Sequence, residues 1–139
     1  MAEANVEIVR RIFDAWASND PDTGFAQMDE RIEWHPAEDE PETATLHGKV
    51  ELQGMFLKWL TAFDDFQTEP IEFIDAGEAV VVQLHITGKL PGSGAEVAND
   101  ETMVFWLRDG KVAEVREFRT KPEALAAAGV TSEGSFDDE

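Results

Sequence analysis

Few side chains in this chain can move a proton or hold a metal near neutral pH. There are three histidines, His35, His47 and His85, with no cysteine and no tyrosine. Without cysteine there is no thiolate nucleophile, thiolate metal site or disulfide framework. Carboxylates, by contrast, are abundant. Thirty acidic residues face eleven basic ones, for a formal charge of −19. The useful question is which carboxylate leaves solvent, because desolvation raises a carboxyl pKa and makes the group a proton carrier. Strand alternation points to one. Ala113, Val115 and Glu117 share a face, and Glu114, Arg116 and Phe118 share the other. The first face is the more apolar, so Glu117 is expected inside, as a candidate acid/base. The competing reading is a strand-end glutamate paired with Arg119 on the same face.

His35 is the second candidate base, since an imidazole titrates near neutrality. It ends a short run in which Ile32 and Trp34 alternate with charged neighbours before Pro36. Parity turns His35 outward unless Pro36 or a bulge re-aims it. His47 precedes a helix, and His85 falls on the outer face of a long strand. His35, Glu38, Asp39 and His47 lie close in sequence, but their spacing matches no established ligand pattern. The acidic run 36–47 carries two prolines and reads as a solvated loop and a candidate lid. No metal and no other cofactor is expected.

The elements that must position these groups follow from a change of hydrophobic period near Gln67. Before it, apolar residues recur at helical spacing; after it they alternate. Ile8, Val9, Ile12, Phe13 and Trp16 predict a helix over 5–17, stopped by Ser18-Asn19-Asp20-Pro21. Asp20 can cap a short second helix that has Pro21 at its first position and buries Phe25 and Met28. A third helix starts near Gly48 and sets Leu52, Phe56, Trp59, Leu60 and Phe63 on one face. Gly54 inside it implies a close helix–sheet contact. Strands are predicted at 67–76, 79–90, 97–108 and 112–119, joined by turns at Gly77-Glu78, Pro91 to Gly94 and Asp109-Gly110. Thr120-Lys121-Pro122-Glu123 is a capping box, and Gly129 ends the helix it opens. Residues 1–130 thus form one domain, followed by an acidic tail, 131–139, expected to be disordered.

Helices followed by a strand meander bury one helix face against one sheet face, an α+β arrangement. Val80, Val82, Leu84 and Ile86 are assigned inward with Met103, Phe105 and Leu107. Phe13, Trp16, Trp34, Phe56, Trp59, Leu84, Ile86, Met103 and Phe105 become candidate pocket walls. The opposite face carries Val81, Gln83, His85, Val104 and Trp106, too apolar for open solvent. A two-fold homodimer through that face is expected. The charge argues against nucleic acid and anionic membrane surfaces, which need the opposite balance. It fits either an ordinary acidic protein or one adapted to high salt, where self-repulsion is screened. No run resembles a signal peptide or a membrane span, so a soluble, cytoplasmic protein is expected.

Trp34-His35-Pro36, His47-Gly48-Lys49 and Phe105 through Phe118 (FWLRDGKVAEVREF), with this order of helices and strands, resemble the SnoaL-like branch of the nuclear transport factor 2-like superfamily. The resemblance covers roughly 5–129. It implies a cone-shaped, mostly antiparallel sheet, an α+β barrel wrapped around a long helix, with a hydrophobic cavity open at one end. Ketosteroid isomerases, limonene-type epoxide hydrolases and polyketide cyclases share that fold. Epoxide hydrolases of this kind carry Trp-Arg-Asp-Tyr-Phe-Asp where this chain has Val115 to Thr120. Arg116 matches, and Glu117 stands where the family has a catalytic aspartate. The family's Arg and Asp of the long strand fall on Leu84 and Ile86, so that triad is broken. The ketosteroid isomerase site needs a tyrosine and a protonated aspartate. Here there is no tyrosine, the aspartate's place falls near Met103, and the base position holds His35.

Together these readings predict a hydrophobic pocket for a small molecule. The first expectation is cofactor-free acid–base chemistry, an isomerisation, cyclisation or hydrolysis, on an apolar oxygenated substrate. The alternatives are a non-catalytic binder of a hydrophobic ligand and a dimeric interaction module working through the outer sheet face.

Overall fold

The structure, a computed structural model, describes residues 2–18, 20–36 and 45–129, without the side chains of residues 2–4, 59 and 60. The acidic tail 131–139 and most of the candidate lid, 37–44, lie outside the described residues. The elements run α1 (Ala2–Ala17), α2 (Pro21–Phe25), β1 (Met28–His35), β2 (Leu46–His47), α3 (Lys49–Ala62), β3 (Asp64–Ala76), β4 (Ala79–Lys89), β5 (Glu96–Arg108), β6 (Lys111–Phe118) and α4 (Lys121–Ala128). Local chemistry sets their ends. Asp20 accepts from the Thr23 N–H and hydroxyl at the start of α2, and Thr120 accepts from the Glu123 N–H at the start of α4. Gly129 closes α4 in the left-handed region at φ +77°, where a side chain would be strained.

The six strands form one mixed sheet in the order β2-β1-β6-β5-β4-β3, with β1 and β6 parallel and every other pair antiparallel. This corrects the expected shape. A barrel or a cone wrapped around a helix needs the first and last strands to meet. Among the described residues β2 pairs only with β1 and β3 only with β4, so these two strands do not meet and the sheet is open. β2 is two residues long, too short to carry a second ladder. Pro70 is tolerated in β3 because an edge strand can spare one N–H.

α1 supplies most of the helical core, with Val9, Ile12 and Phe13 buried against the inner sheet face. Their partners are Ile32 and Trp34 of β1, Val80, Val82 and Leu84 of β4, Met103, Phe105 and Leu107 of β5, and Val112 and Val115 of β6. Among the described side chains of α3, Leu52 alone is fully buried. Gly54 has no atom within 4 Å of where a Cβ would stand, so the expected close contact is absent. The close approaches occur at Gly24, under the Trp16 indole, and at Gly88, under the Phe63 ring.

Bulges break the simple alternation. The β5–β6 register shifts between Trp106 and Leu107, which lets Val112 and Val115 both turn inward. A shift between Pro70 and Glu72 leaves Ile71 59% exposed, and another between Asp64 and Gln67 accompanies Asp65 at φ +54°.

The outer face is partly covered by the chain itself. Ala124 and Leu125 of α4 pack on Val81 and Val104, both fully buried, with Trp106 and Phe118 at the margin. Covering these valines, the expected reason for a partner on this face, is a task α4 already performs.

Candidate functional site

Between the inner sheet face and the three N-terminal helices lies an apolar pocket with a free volume of about 30 Å³. That is room for one or two waters. Phe13 and Trp16 reach it from α1, Phe56 from α3, Trp34 from β1, Leu84 and Ile86 from β4, and Met103 from β5. Phe105 is instead packed beneath it, its ring 5.7 Å from that of Phe13 and 6.4 Å from that of Trp34. The Trp59 side chain lies outside the described residues. Further walls are Phe25, Pro36, Leu46, Leu52, Met55, Phe66 and Thr68. Phe66 lies within the register shift at the start of β3, before the strand start predicted at Gln67, and so was not counted. Thr68 borders the pocket as a polar residue that alternation did not single out.

One carboxylate enters this apolar space. Glu117 is 7% exposed and is the only buried charged side chain among the described residues. The parallel β1–β6 register sets Trp34 opposite Val115, two residues before Glu117 on the same face. From there the Trp34 indole N–H donates to Glu117 Oε2 across 2.5 Å. The indole therefore fixes the carboxylate's orientation and supplies one of the hydrogen bonds a desolvated carboxylate requires.

The structure does not bring His35 to Glu117. Its ring lies on the opposite face of β1, with Nδ1 3.1 Å from Thr45 Oγ1. Nε2 is 3.2 Å from Glu114 and 3.5 Å from Glu33. Arg116 Nε also donates to Glu114, at 2.8 Å, and His47 stands 3.7 Å from Glu33. These groups form a polar cluster at the sheet surface. Farther along the outer face, His85 Nδ1 lies 2.6 Å from Asp100 Oδ1. That hydrogen bond is the main reason its pKa rises above the usual 6.5, with partial desolvation opposing it. Gln83 is half-buried, as is Trp106, with the Arg116 guanidinium 5.8 Å from the Trp106 ring. Among the described residues no group of three or more His, Cys, Asp or Glu side chains could hold a metal ion, and no helix is long and apolar enough to cross a membrane.

With this geometry in place, comparison with known proteins is informative. The family model described as a SnoaL-like domain matches residues 9–115, most of the chain. The chain belongs to the SnoaL-like family. Among solved structures, an NTF2-like protein from Burkholderia xenovorans LB400 is 29% identical, with a TM-score of 0.71 over 92% of this chain and 97% of that one. A putative SnoaL-like polyketide cyclase from Jannaschia sp. CCS1 is 25% identical, with a TM-score of 0.73 over 91% and 92%. Bal32a, from a soil-derived mobile gene cassette, is 22% identical, with a TM-score of 0.76 over 89% and 95%. No curated protein sequence matches the chain. This SnoaL-like protein therefore has a family, a fold and an apolar pocket with one buried carboxylate.

Proposed function

We propose that this SnoaL-like protein is a cofactor-free acid–base enzyme acting on an apolar small molecule that carries a carbonyl or similar oxygen. The observation that supports this most is Glu117: one carboxylate, buried, oriented by the Trp34 N–H, in a pocket otherwise lined almost wholly by carbon. In the proposed step, a carboxylate oxygen of Glu117 takes a proton from a carbon beside the carbonyl. It returns that proton to the same or a neighbouring carbon, which exchanges or isomerises the substrate. General-base help of this kind contributes about 10²–10⁴-fold. In this reading Thr68, which borders the pocket, holds the substrate oxygen. The Jannaschia protein of the same family is named a putative SnoaL-like polyketide cyclase.

The test needs no knowledge of the natural substrate. Apolar ketones are incubated with the protein in D₂O, and deuterium uptake beside the carbonyl is followed by NMR. Uptake should exceed the buffer rate and fall about 10²-fold or more in Glu117→Gln. Uptake that is equal in the two proteins removes Glu117 from the chemistry. The second reading, a non-catalytic binder, draws support from Glu117 being the only buried charged group among the described residues. It predicts saturable ketone binding with no exchange above buffer.

A further inference from the structure

A second apolar cavity adjoins the first. It has a volume of about 420 Å³ and is lined by Phe63, Phe66, Ile86, Thr87, Gly88, Leu90, Val97, Ala98 and Asn99. None of these carries a charge, although thirty of the chain's 139 residues are acidic. Leu90 and Val97 stand 40% and 37% exposed at its outer end, flanking the loop between β4 and β5. Phe66 and Ile86 line both this groove and the pocket that holds Glu117, so these two side chains are the wall between them. Phe66 sits where the β3–β4 register breaks, beside Asp65 at φ +54°. A bulge of this kind re-aims a side chain and takes its backbone out of the ladder. Gly88 is needed here because a Cβ would stand 3.1 Å from the Phe63 Cβ, and without one Phe63 can close over the groove floor.

Resting on the reading of Glu117 given above, we infer that this groove is an outer subsite for the unbranched apolar tail of the substrate. The tail passes Phe66 while the oxygen-bearing head lies at Glu117. The inner pocket, with its 30 Å³, has no room for more than a small head. The rest of the molecule therefore needs a place, and the uncharged groove lies directly across the Phe66 and Ile86 side chains from that pocket. Ile86 to Leu90 covers about 13 Å of extended chain. An extended carbon chain advances about 1.2 Å per bond, as the backbone does, so the groove takes roughly ten carbons. A compact polycyclic substrate would not use it.

The test uses a homologous series of 2-alkanones, from 2-butanone to 2-dodecanone, with affinity read from tryptophan fluorescence. In the wild type each added methylene should raise affinity by about fourfold until the groove is full. In Leu90→Glu and in Val97→Glu, both surface changes that leave the core intact, the climb should stop several carbons earlier. Equal chain-length slopes in wild type and both variants would overturn the subsite. So would a groove that serves self-association, seen as a Leu90→Glu change in oligomeric state with no change in slope. Glu117→Gln separates the two readings. If it keeps the chain-length slope while ketone proton exchange in D₂O is lost, head and tail assignments both stand. If exchange is unchanged while Leu90→Glu flattens the slope, the subsite stands and the assignment of Glu117 falls.

Discussion

Trp34 and Glu117 should be energetically coupled, and the sign of that coupling distinguishes a made hydrogen bond from mere proximity. Trp34→Phe deletes the indole N–H that reaches Glu117 Oε2 across 2.5 Å and leaves a carboxylate that is only 7% exposed one donor short. A hydrogen bond to an ionised group contributes about 1.5–3 kcal/mol. The smaller ring also leaves a cavity costing about 1 kcal/mol. Together the expected loss is about 2–4 kcal/mol. Glu117→Leu strands the buried indole N–H, at about 1–3 kcal/mol, but also removes a desolvated carboxylate. The double variant strands neither group. It should therefore be less destabilised than the sum of the single variants, by about 1.5–3 kcal/mol. Urea unfolding of the four proteins at one fixed ionic strength measures the cycle. Single effects that add to within about 0.5 kcal/mol would refute the contact, since independent sites behave that way.

Two further predictions concern stability. Gly24→Ala puts a Cβ 2.6 Å from Trp16 Nε1, under a ring that cannot bend away, and should destabilise by about 1–3 kcal/mol. Gly54→Ala meets nothing within 4 Å and should stabilise by about 0.5–1 kcal/mol through helix propensity, with the same urea assay reading both and opposite signs expected. His85 gives a pH dependence. Its folded pKa lies above its unfolded value because Asp100 accepts its N–H, so its stabilisation is complete below the unfolded pKa and is lost as pH rises through the folded one. The Tm gap between wild type and Asp100→Asn should accordingly be wider at about pH 6 than at about pH 9, and a gap constant with pH rules the ion pair out as its source.

Local chemistry was the legible part of this chain. Asp20, Thr120 and Gly129 cap where their side chains or their lack of one predict, and the hairpin turns fall at Gly77 and Gly110, both at positive φ. The inward turn of Glu117 was readable because β6 is regular from Val115 onward. What failed was sheet closure, the covering of the outer face and the positions of bulges, each set by contacts distant in sequence. Whether the sheet closes depends on β2 meeting β3, and nothing within Leu46-His47 encodes the absence of that pairing. The destination of α4 was equally silent: Ala124 and Leu125 mark a helix with something to bury, but only the fold shows that Val81 and Val104 receive it. A bulge hid Val112, because one extra residue inverts the assignment of face across it, and Phe66 was missed because the strand was started at Gln67 although β3 begins at Asp64. Gly54 misled for a related reason. A glycine in a helix announces a cost, but the neighbour that would justify it lies elsewhere in the sequence, and here the close approach is at Gly24.

Burying a carboxylate is seldom a route to stability. Replacing a buried charged or polar pair by apolar groups of similar volume is often neutral or better, whereas removing one partner is costly. Trp34 and Glu117 form such a pair, in a pocket where leucine would pack as well as glutamate. The chain does not lack solvent-exposed places for acid, since thirty of its residues are acidic, yet one of them is held out of water beside an indole donor. The double variant of the cycle separates the two explanations. A protein with Trp34→Phe and Glu117→Leu that unfolds near the wild-type urea concentration, but no longer exchanges ketone protons in D₂O, places the pair in the chemistry. One that unfolds much earlier and regains neither stability nor exchange at low temperature makes the pair a packing element, and the pocket then belongs to a binder.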